Sequence, residues 1–195
     1  RKELLRLSDD LLSQKKEIKT NRWITYKGLS LATLSELNDE YGEIEDVFEL
    51  SPMQLGMYYF ALSESTSTAY FWQLAYKISG NINESLFKDC FNLLIEKYTV
   101  LRTVFRNDIG NESLQIVLKH LNPDFRYLDI SLQSGLDQTK FLEHYMQNDR
   151  IEGFDLSSGP LLRLSLIKLS ENQYFRLWSN HHLILDGWST AIIIT

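Results

Sequence analysis

The spacing of apolar side chains predicts the longest strands of this chain. Residues 71–79 are apolar at every second position, which is the period of a strand with one buried face, and the apolar positions are Trp72, Leu74, Tyr76 and Ile78. Residues 162–169 and 173–179 form two apolar runs around Ser170-Glu171-Asn172 and predict an antiparallel hairpin. Shorter strands are predicted at residues 100–106, 114–118 and 125–129.

Helices are predicted where a capping side chain precedes an apolar stretch. Ser51 followed by Pro52 predicts a helix to residue 62, because serine caps the first turn and proline suits its first position. Asn83 predicts the cap of a helix from residue 84 to about residue 98. Further helices are predicted at residues 31–40 and 136–149. An amphipathic helix over residues 1–20 is predicted from the spacing of Leu4, Leu7, Leu11 and Ile18.

These elements together predict an α/β fold, a two-layer sandwich with helices on one side of a mixed or antiparallel sheet. A chain of 195 residues is long enough to bury the core of one domain. Residues 1–40 are interpreted as an interdomain linker or the helical tail of an upstream domain, and the domain itself is assigned to residues 41–195. The missing initiator methionine favours a piece of a longer, multidomain protein.

Composition and charge narrow the range of partners. The formal net charge of −6 argues against nucleic acid, since phosphates bind clustered Lys and Arg side chains. The sequence has no membrane-length apolar run and no signal-like segment, so a cytoplasmic location is expected. The single cysteine, Cys90, rules out an internal disulfide and is interpreted as core packing beside Leu86, Phe87 and Leu93.

Candidate chemistry lies near the end of the chain, in the segment HHLILDG at residues 181–187. A histidine directly after a strand is firmly held yet open to a substrate, and an imidazole exchanges protons near neutral pH. Glycine beside the aspartate leaves room for a ligand near the backbone. From spacing alone, His182 is either a catalytic base or a core or surface residue without chemistry. A zinc site is disfavoured, because no second set of ligands accompanies His182 and Asp186.

The longer segment HHLILDGWS, residues 181–189, resembles the HHxxxDG signature of condensation domains of nonribosomal peptide synthetases. Other segments are similar to stretches of that family in the same order: LSPMQLGMYY at residues 50–59 (preceded by YGEIEDVF), LRTVF at 101–105 and GFDLSSGPLLR at 153–163. The resemblance covers residues 41–195. Lys97-Tyr98-Thr99 stands where the family usually has an Arg-His-Glu-like triplet, which puts any role of that triplet in doubt.

The resemblance implies the first lobe of a chloramphenicol acetyltransferase-like fold, whose second lobe supplies the far wall of the active-site tunnel. It implies peptide-bond formation between aminoacyl or peptidyl thioesters presented on the phosphopantetheine of carrier domains, with no cofactor bound directly. The implied partners are the upstream and downstream carrier domains and adjacent synthetase domains, including the second lobe; neither nucleic acid nor a membrane is implied. With one wall of the tunnel, the isolated chain is expected to be inactive.

The resemblance also implies roles for single residues. His182 catalyses condensation, either by taking a proton from the attacking amine or by positioning it and stabilising the tetrahedral intermediate. His181 supports it by packing, and Gly187 offers a backbone amide to an oxyanion. Asp186 is structural and paired with an arginine, in preference to orienting His182. Arg102 forms a buried ion pair that braces the site, or else reaches solvent from a strand.

Other functions stay open at this point. An epimerization domain shares HHxxxDG but tends to carry Val-Ser-Trp after the aspartate region. A coenzyme A-dependent acyltransferase keeps a similar histidine and aspartate but would not need the segment at residues 43–59. The paired histidines exclude a heterocyclization domain, and a non-catalytic, carrier-binding fragment is the alternative from another class. The aromatic residues 70–72 are interpreted either as a tunnel wall or as core packing.

Overall fold

Helices and strands alternate along most of the chain. The computed structural model describes residues 24–64, 67–110 and 112–194, so the helix predicted over residues 1–20 lies outside the described residues. The helices are α1 Leu31–Tyr41, α2 Pro52–Ser63, α3 Glu84–Lys97, α4 Gly135–Glu152 and α5 Gly187–Ile194, with a 3₁₀ turn at Thr99–Arg102. The strands are β1 Ile44–Glu49, β2 Phe71–Ser79, β3 Thr103–Ile109, β4 Glu112–Leu118, β5 Asp124–Asp129, β6 Leu162–Ser170 and β7 Gln173–His181.

The smaller of two sheets has the strand order β1-β4-β3, and both of its strand pairs are antiparallel. Helix α1 covers it, because Leu34 and Leu37 lie in one buried cluster with Val47, Val104 and Ile116. Ile24 and Leu29 belong to the same cluster. Residues 24–40, which the sequence assigned to an interdomain segment, therefore share the core of this sheet.

The larger sheet has the order β2-β7-β6-β5 and carries the histidine pair at the end of β7. Its strand pairs are antiparallel except β5 and β6, which are parallel. The hairpin predicted from the two apolar runs is confirmed as β6 and β7. In the pairing of β2 with β7, Phe71 lies opposite His181 and Trp72 lies opposite Asn180. This register places β2 directly beside the candidate catalytic segment.

Helices lie on both faces of the larger sheet, and the expectation of one sheet with helices on one side is wrong in this respect. On the α3 face, Phe91 meets Phe125 of β5 and Trp178 of β7. On the α4 face, Leu142 lies in a buried cluster with Ile167, Phe175 and Leu177. Successive positions along β6 and β7 are buried. Because successive side chains of a strand point to opposite faces, both faces of the sheet have to be covered by helices.

The predicted helix caps are confirmed. Ser51 and Gln54 form a reciprocal capping box at the start of α2, with Pro52 in its first turn. Asn83 accepts a hydrogen bond from the backbone N–H of Leu86 and caps α3. These caps could be predicted from the sequence because a capping side chain bonds a backbone N–H three residues away and needs no tertiary contact.

Two local expectations are corrected by the structure. The strand predicted from residue 100 begins only at Thr103, because residues 99–102 form a 3₁₀ turn that follows α3. Cys90 is exposed and does not pack in the core. The buried side of α3 is set by Phe91 and Ile95, and Cys90 precedes Phe91 by one residue, which rotates its side chain by about 100° around the helix.

None of the helices described at residues 24–64, 67–110 and 112–194 is long and apolar enough to cross a membrane. The same ranges contain no group of three or more His, Cys, Asp or Glu side chains arranged to hold a metal ion.

Candidate active site at the histidine pair

The two histidines are fixed by backbone hydrogen bonds at the point where β7 ends. The His181 N–H donates to the Leu161 carbonyl at 3.0 Å, and the His182 N–H donates to the Tyr70 carbonyl at 2.9 Å. Because neighbouring residues of an extended chain point to opposite sides, the two imidazoles have different surroundings. The His181 ring lies 6.2 Å from the Tyr70 ring, whereas the His182 ring stacks on Trp72 at 6.2 Å and 28°.

His182 is half-buried and has a defined proton arrangement. Its Nδ1 lies 3.1 Å from the Leu185 carbonyl oxygen, which can only accept a hydrogen bond. Nδ1 therefore carries the hydrogen of the neutral ring, and Nε2 keeps a lone pair that can take a proton. The backbone of the loop after β7 thus holds the His182 ring by Nδ1 and leaves Nε2 as the nitrogen that can accept a proton.

His181 is buried and serves the loop as an acceptor. Its Nδ1 accepts a hydrogen bond from the Leu183 N–H at 3.2 Å. Burial, with a smaller contribution from the neighbouring His182, lowers the pKa of His181 from 6.5 to about 4. His181 is therefore neutral at physiological pH and holds the backbone between the strand and the loop.

Asp186 caps helix α5 and does not orient His182. Its side-chain Oδ1 accepts from the Ser189 N–H at 2.7 Å, and its carbonyl accepts from the Thr190 N–H at 2.9 Å. The hydrogen bond from the Ser189 backbone lowers the pKa of this exposed carboxyl group. Among the described residues no arginine forms an ion pair with Asp186, so the structural role is that of an N-cap.

Gly187 is the exposed first residue of α5. A Cβ atom at this position would meet nothing within 4 Å beyond its chain neighbours and the backbone of its own helix, so no other part of the described chain fills the space beside it. Asp186 already accepts from the Ser189 N–H, and the Gly187 N–H, which has no partner within the helix, can receive a negatively charged oxygen.

Arg102 is buried and forms an ion pair with Glu45, whose side chain is 39% exposed, so the interpretation of an arginine that reaches solvent is wrong and the pair is only half buried. Its Nη1 lies 2.8 Å from Glu45 Oε2. Its other donors bind carbonyl groups of Ile95 and Glu96 at the end of α3 and of Leu118 and Lys119 after β4. These contacts join α3 to the smaller sheet, and none of them involves residues 181–187.

Gln54 contacts the loop of the candidate site directly, which its role as a capping residue did not reveal. Its Nε2 donates to the Leu183 carbonyl at 3.2 Å and to Gln115 Oε1 at 3.3 Å. Helix α2 is thereby connected to the loop that carries His182 and to strand β4. The sequence signal at this position indicates the cap alone, since the partner lies far along the chain.

A buried ionic network lies beneath the histidine pair and was missed by sequence reasoning. Asp149 is 2 % exposed and pairs with Arg163 at 2.6 Å. The same carboxylate accepts hydrogen bonds from Ser179 Oγ and Gln73 Nε2, both at 2.6 Å. Ser179 and Gln73 are opposite each other in the β2–β7 pairing, two positions from His181 and Phe71 respectively. The only signal in the sequence is the presence of polar residues inside otherwise apolar strands.

The aromatic residues 70–72 have three different surroundings: a cavity, the core, and the face of the sheet that carries His182. Tyr70 and Phe71 line a cavity of about 800 Å³ on the α4 face, together with His181. Phe71 is also buried and stacks on Phe154 at 5.2 Å. Trp72 lies on the opposite face, against His182. Core packing is confirmed for Phe71, and the tunnel wall stays a prediction.

Comparison with known proteins gives the family of this chain. The condensation-domain family matches residues 44–195. Bacitracin synthase 3 from Bacillus licheniformis is 37% identical over 170 residues, which is 86% of this chain and 3% of that protein. Bacitracin synthase 1 from the same organism is 34% identical over 169 residues, which is 86% of this chain and 3% of that protein.

Solved structures show the same fold. The starter condensation domain of the rhizomide synthetase RzmA matches with a TM-score of 0.68 at 22% identity, over 76% of this chain and 36% of that chain. A four-domain nonribosomal peptide synthetase, AB3403 in its holo form, matches with a TM-score of 0.67 at 24% identity, over 78% of this chain and 11% of that chain.

The chain belongs to the condensation-domain family of nonribosomal peptide synthetases, as its HHxxxDG-like segment implied. Its mixed α/β architecture is that of the chloramphenicol acetyltransferase-like fold, of which it forms a part. The chain spans only a few per cent of the length of the curated relatives that it matches.

Proposed function

We propose that this chain provides the catalytic wall for peptide-bond formation between two thioester-bound substrates in nonribosomal peptide synthesis. The substrates arrive on the phosphopantetheine arms of an upstream and a downstream carrier domain, and adjacent synthetase domains supply the opposite wall. The observation that carries the proposal is the hydrogen bond between His182 Nδ1 and the Leu185 carbonyl, which leaves Nε2 as a lone-pair acceptor at the end of β7.

The reaction needs one proton transfer and one bond exchange. The acceptor amine attacks the donor thioester carbonyl, a C–N bond forms, and the C–S bond breaks as the tetrahedral intermediate collapses. His182 Nε2 accepts the proton that the nitrogen loses, and the departing thiolate takes up a proton to become a thiol. An amine already attacks a thioester readily, so holding the two groups together supplies much of the rate.

Two supporting roles follow from the geometry of the loop. The backbone at Gly187, at the start of α5, stabilises the oxyanion of the intermediate. His181 stays neutral and keeps the loop in place through Leu183, so a second charge does not disturb the proton transfer at His182. Arg102 supports the site indirectly, by fixing α3 to the smaller sheet.

The test is a single-turnover condensation assay with carrier-bound donor and acceptor. It uses a synthetase in which this chain forms the first part of a condensation domain. His182→Ala is expected to lower the rate by a factor of about 10² to 10⁴, the range for removal of a general base. His144→Ala is the control, because His144 is exposed on α4.

The outcomes of this assay separate the competing functions. A His182→Ala variant that condenses at the original rate would show that the loop has no catalytic role. If the enzyme inverts the donor's α-carbon and forms no peptide bond, the chain acts in epimerization instead. The 195-residue chain by itself is expected to form no peptide. A whole synthetase that binds its carrier domains through this chain but forms no peptide bond and inverts no donor would favour a non-catalytic, carrier-binding role.

A further inference from the structure

The cavity on the α4 face of the larger sheet contains a buried hydrogen-bond donor that has no acceptor. This donor is His181, which is 8% exposed and lines the cavity of about 800 Å³. Its Nδ1 accepts from the Leu183 N–H, so the hydrogen of the neutral ring is on Nε2. Nε2 has no acceptor among the described residues, yet the atom is not fully buried. The Nε2–H group therefore faces the cavity and can donate to a ligand there.

A second donor, Arg150 near the end of α4, lines the same cavity. One of its N–H groups donates to Gln73 Oε1 at 3.0 Å, and its guanidinium carbon lies 5.5 Å from the centre of the Phe71 ring. These contacts hold the guanidinium in place without neutralising it, since no carboxylate among the described residues pairs with Arg150. Its other N–H groups stay available to a ligand.

The two donors lie on either side of Phe71. Phe71 is opposite His181 in the β2–β7 pairing, so their side chains share a face of the sheet and start about 5 Å apart. The guanidinium of Arg150 stands over the same Phe71 ring. A ligand that lies on Phe71 can therefore bring its oxygen atoms within reach of both donors.

Four carboxylates also line the cavity, and each already has donors within the protein. They are Glu40 and Asp108, which bind Arg106, Glu152, which binds Arg126 and Arg163, and Asp155, which binds the hydroxyl groups of Ser157 and Ser158. Arg150 is thus the charged group of the described wall that lacks an opposite charge or a charged hydrogen bond. The negative charge of a ligand is most favourable beside it.

Aromatic rings form much of the remaining wall. Phe71 stacks on Phe154 at 5.2 Å, and Tyr70 meets Phe60 edge to face at 5.5 Å. All four rings line the cavity, whose volume lies in the range of small-molecule sites. An apolar or aromatic body can pack against these rings and leave water. The wall therefore suits a ligand that is apolar at one end and negatively charged at the other.

We propose that this cavity binds the carboxylate of a small apolar acid, with Arg150 and the Nε2–H of His181 as donors and the aromatic rings around the apolar body. Arginine suits the role, since its planar donors match carboxylate oxygens and its charge strengthens each hydrogen bond. The site is separate from the candidate active site, because His182 and Trp72 lie on the opposite face. The inference consequently does not depend on the proposed function.

The test compares 3-phenylpropionate with 3-phenylpropionamide, its uncharged counterpart, in titrations of the chain followed by nuclear magnetic resonance. The carboxylate is expected to bind at least about tenfold more tightly, the gain of a charge-assisted hydrogen bond. Arg150→Met should reduce the ratio of the two dissociation constants to below about twofold, and Arg150→Lys should keep part of it.

The same spectra locate the ligand without any substitution. Binding of 3-phenylpropionate should shift the Nε2–H signal of His181 and the ring signals of Phe71. The indole N–H of Trp72, on the opposite face, should stay in place. This measurement remains decisive if Arg150→Met does not fold, which circular dichroism spectra of the variant show.

Lys140→Met is the matched control. Lys140 is an exposed residue on the same helix as Arg150 and is not part of the cavity wall. Its loss removes one positive charge without touching the site, so the preference for the carboxylate should survive in this variant.

Four results would overturn the inference. They are equal affinities of the original chain for the two compounds, a preference that persists in Arg150→Met, a preference lost equally in Lys140→Met, and shifts centred on Trp72 in place of His181. The proposed function is tested separately by the condensation assay with His182→Ala, because binding in the cavity requires no turnover.

Discussion

At the scale of single residues, His181 makes the stability of this chain depend on pH. Its pKa is about 4 in the folded chain, against 6.5 for an ordinary histidine. The unfolded chain therefore binds a proton first, so stability is full above about pH 6.5 and falls as the pH is lowered towards 4. Between pH 7 and pH 5 the expected loss is about 2 kcal/mol in the free energy of unfolding.

Urea unfolding at the two pH values measures this loss. His181→Gln removes the titrating group and should make the difference between pH 7 and pH 5 much smaller. His144→Gln serves as the control, because His144 is exposed on α4 and the original difference should persist. A His181→Gln chain that still loses about 2 kcal/mol would assign the pH dependence to another group.

At the scale of elements, Asp149 connects helix α4 to β2 and β7, the strands beside the candidate active site. Asp149→Ala leaves Arg163 buried without this partner, and breaking such a pair typically costs about 3–5 kcal/mol in the free energy of unfolding. Glu143→Ala, an exposed position on the same helix, should change it by less than about 0.5 kcal/mol. Chemical denaturation of both variants measures the effect, and equal small losses would mean that Asp124 and Glu152 hold Arg163 sufficiently.

Elements with local signals were predictable, and those set by distant contacts were not. The start of α2 was readable from Ser51 and Pro52. Strand β1 was missed because its buried residues Ile44 and Val47 are three positions apart, across an irregularity in its pairing with β4. A strand signal relies on a period of two, which such an irregularity interrupts.

The candidate site was likewise predictable only where its residues are neighbours in sequence. His182 could be found because its motif is continuous in sequence. Its stacking on Trp72 depends on the register between β2 and β7, which are separated by about a hundred residues and carry no mutual signal. A structural Asp186 that does not orient His182 was expected from the sequence. The Leu185 carbonyl that meets Nδ1 in its place was not, since it depends on how the loop turns.

At the scale of the whole molecule, large apolar side chains are exposed close to the site. Trp188 is 85% exposed at the start of α5, and Met53 is 76% exposed at the start of α2. We expect the isolated chain to self-associate through such surface, because water disfavours contiguous apolar patches. Sedimentation velocity across a range of concentrations measures this association.

A single substitution tests which surface is responsible. Trp188→Gln should shift the concentration at which the chain associates upward by several-fold. Leu132→Gln is the control, because Leu132 is fully exposed on the loop after β5, away from α5 in the sequence. A chain that stays monomeric at all concentrations, or one in which Leu132→Gln has the larger effect, would contradict the expectation.

The hydrogen bond from Gln54 to the Leu183 carbonyl has a consequence for building hybrid synthetases. Its two ends are 129 residues apart in sequence, so most fusion points within this part of the domain would take them from different parents. A hybrid that combines α2 from one parent with the histidine loop of another keeps the HHxxxDG-like motif. It keeps the contact between α2 and the loop only if the two new partners happen to fit each other. Fusion points chosen before residue 51 or after α5 keep both ends from one parent, and such hybrids should retain more activity.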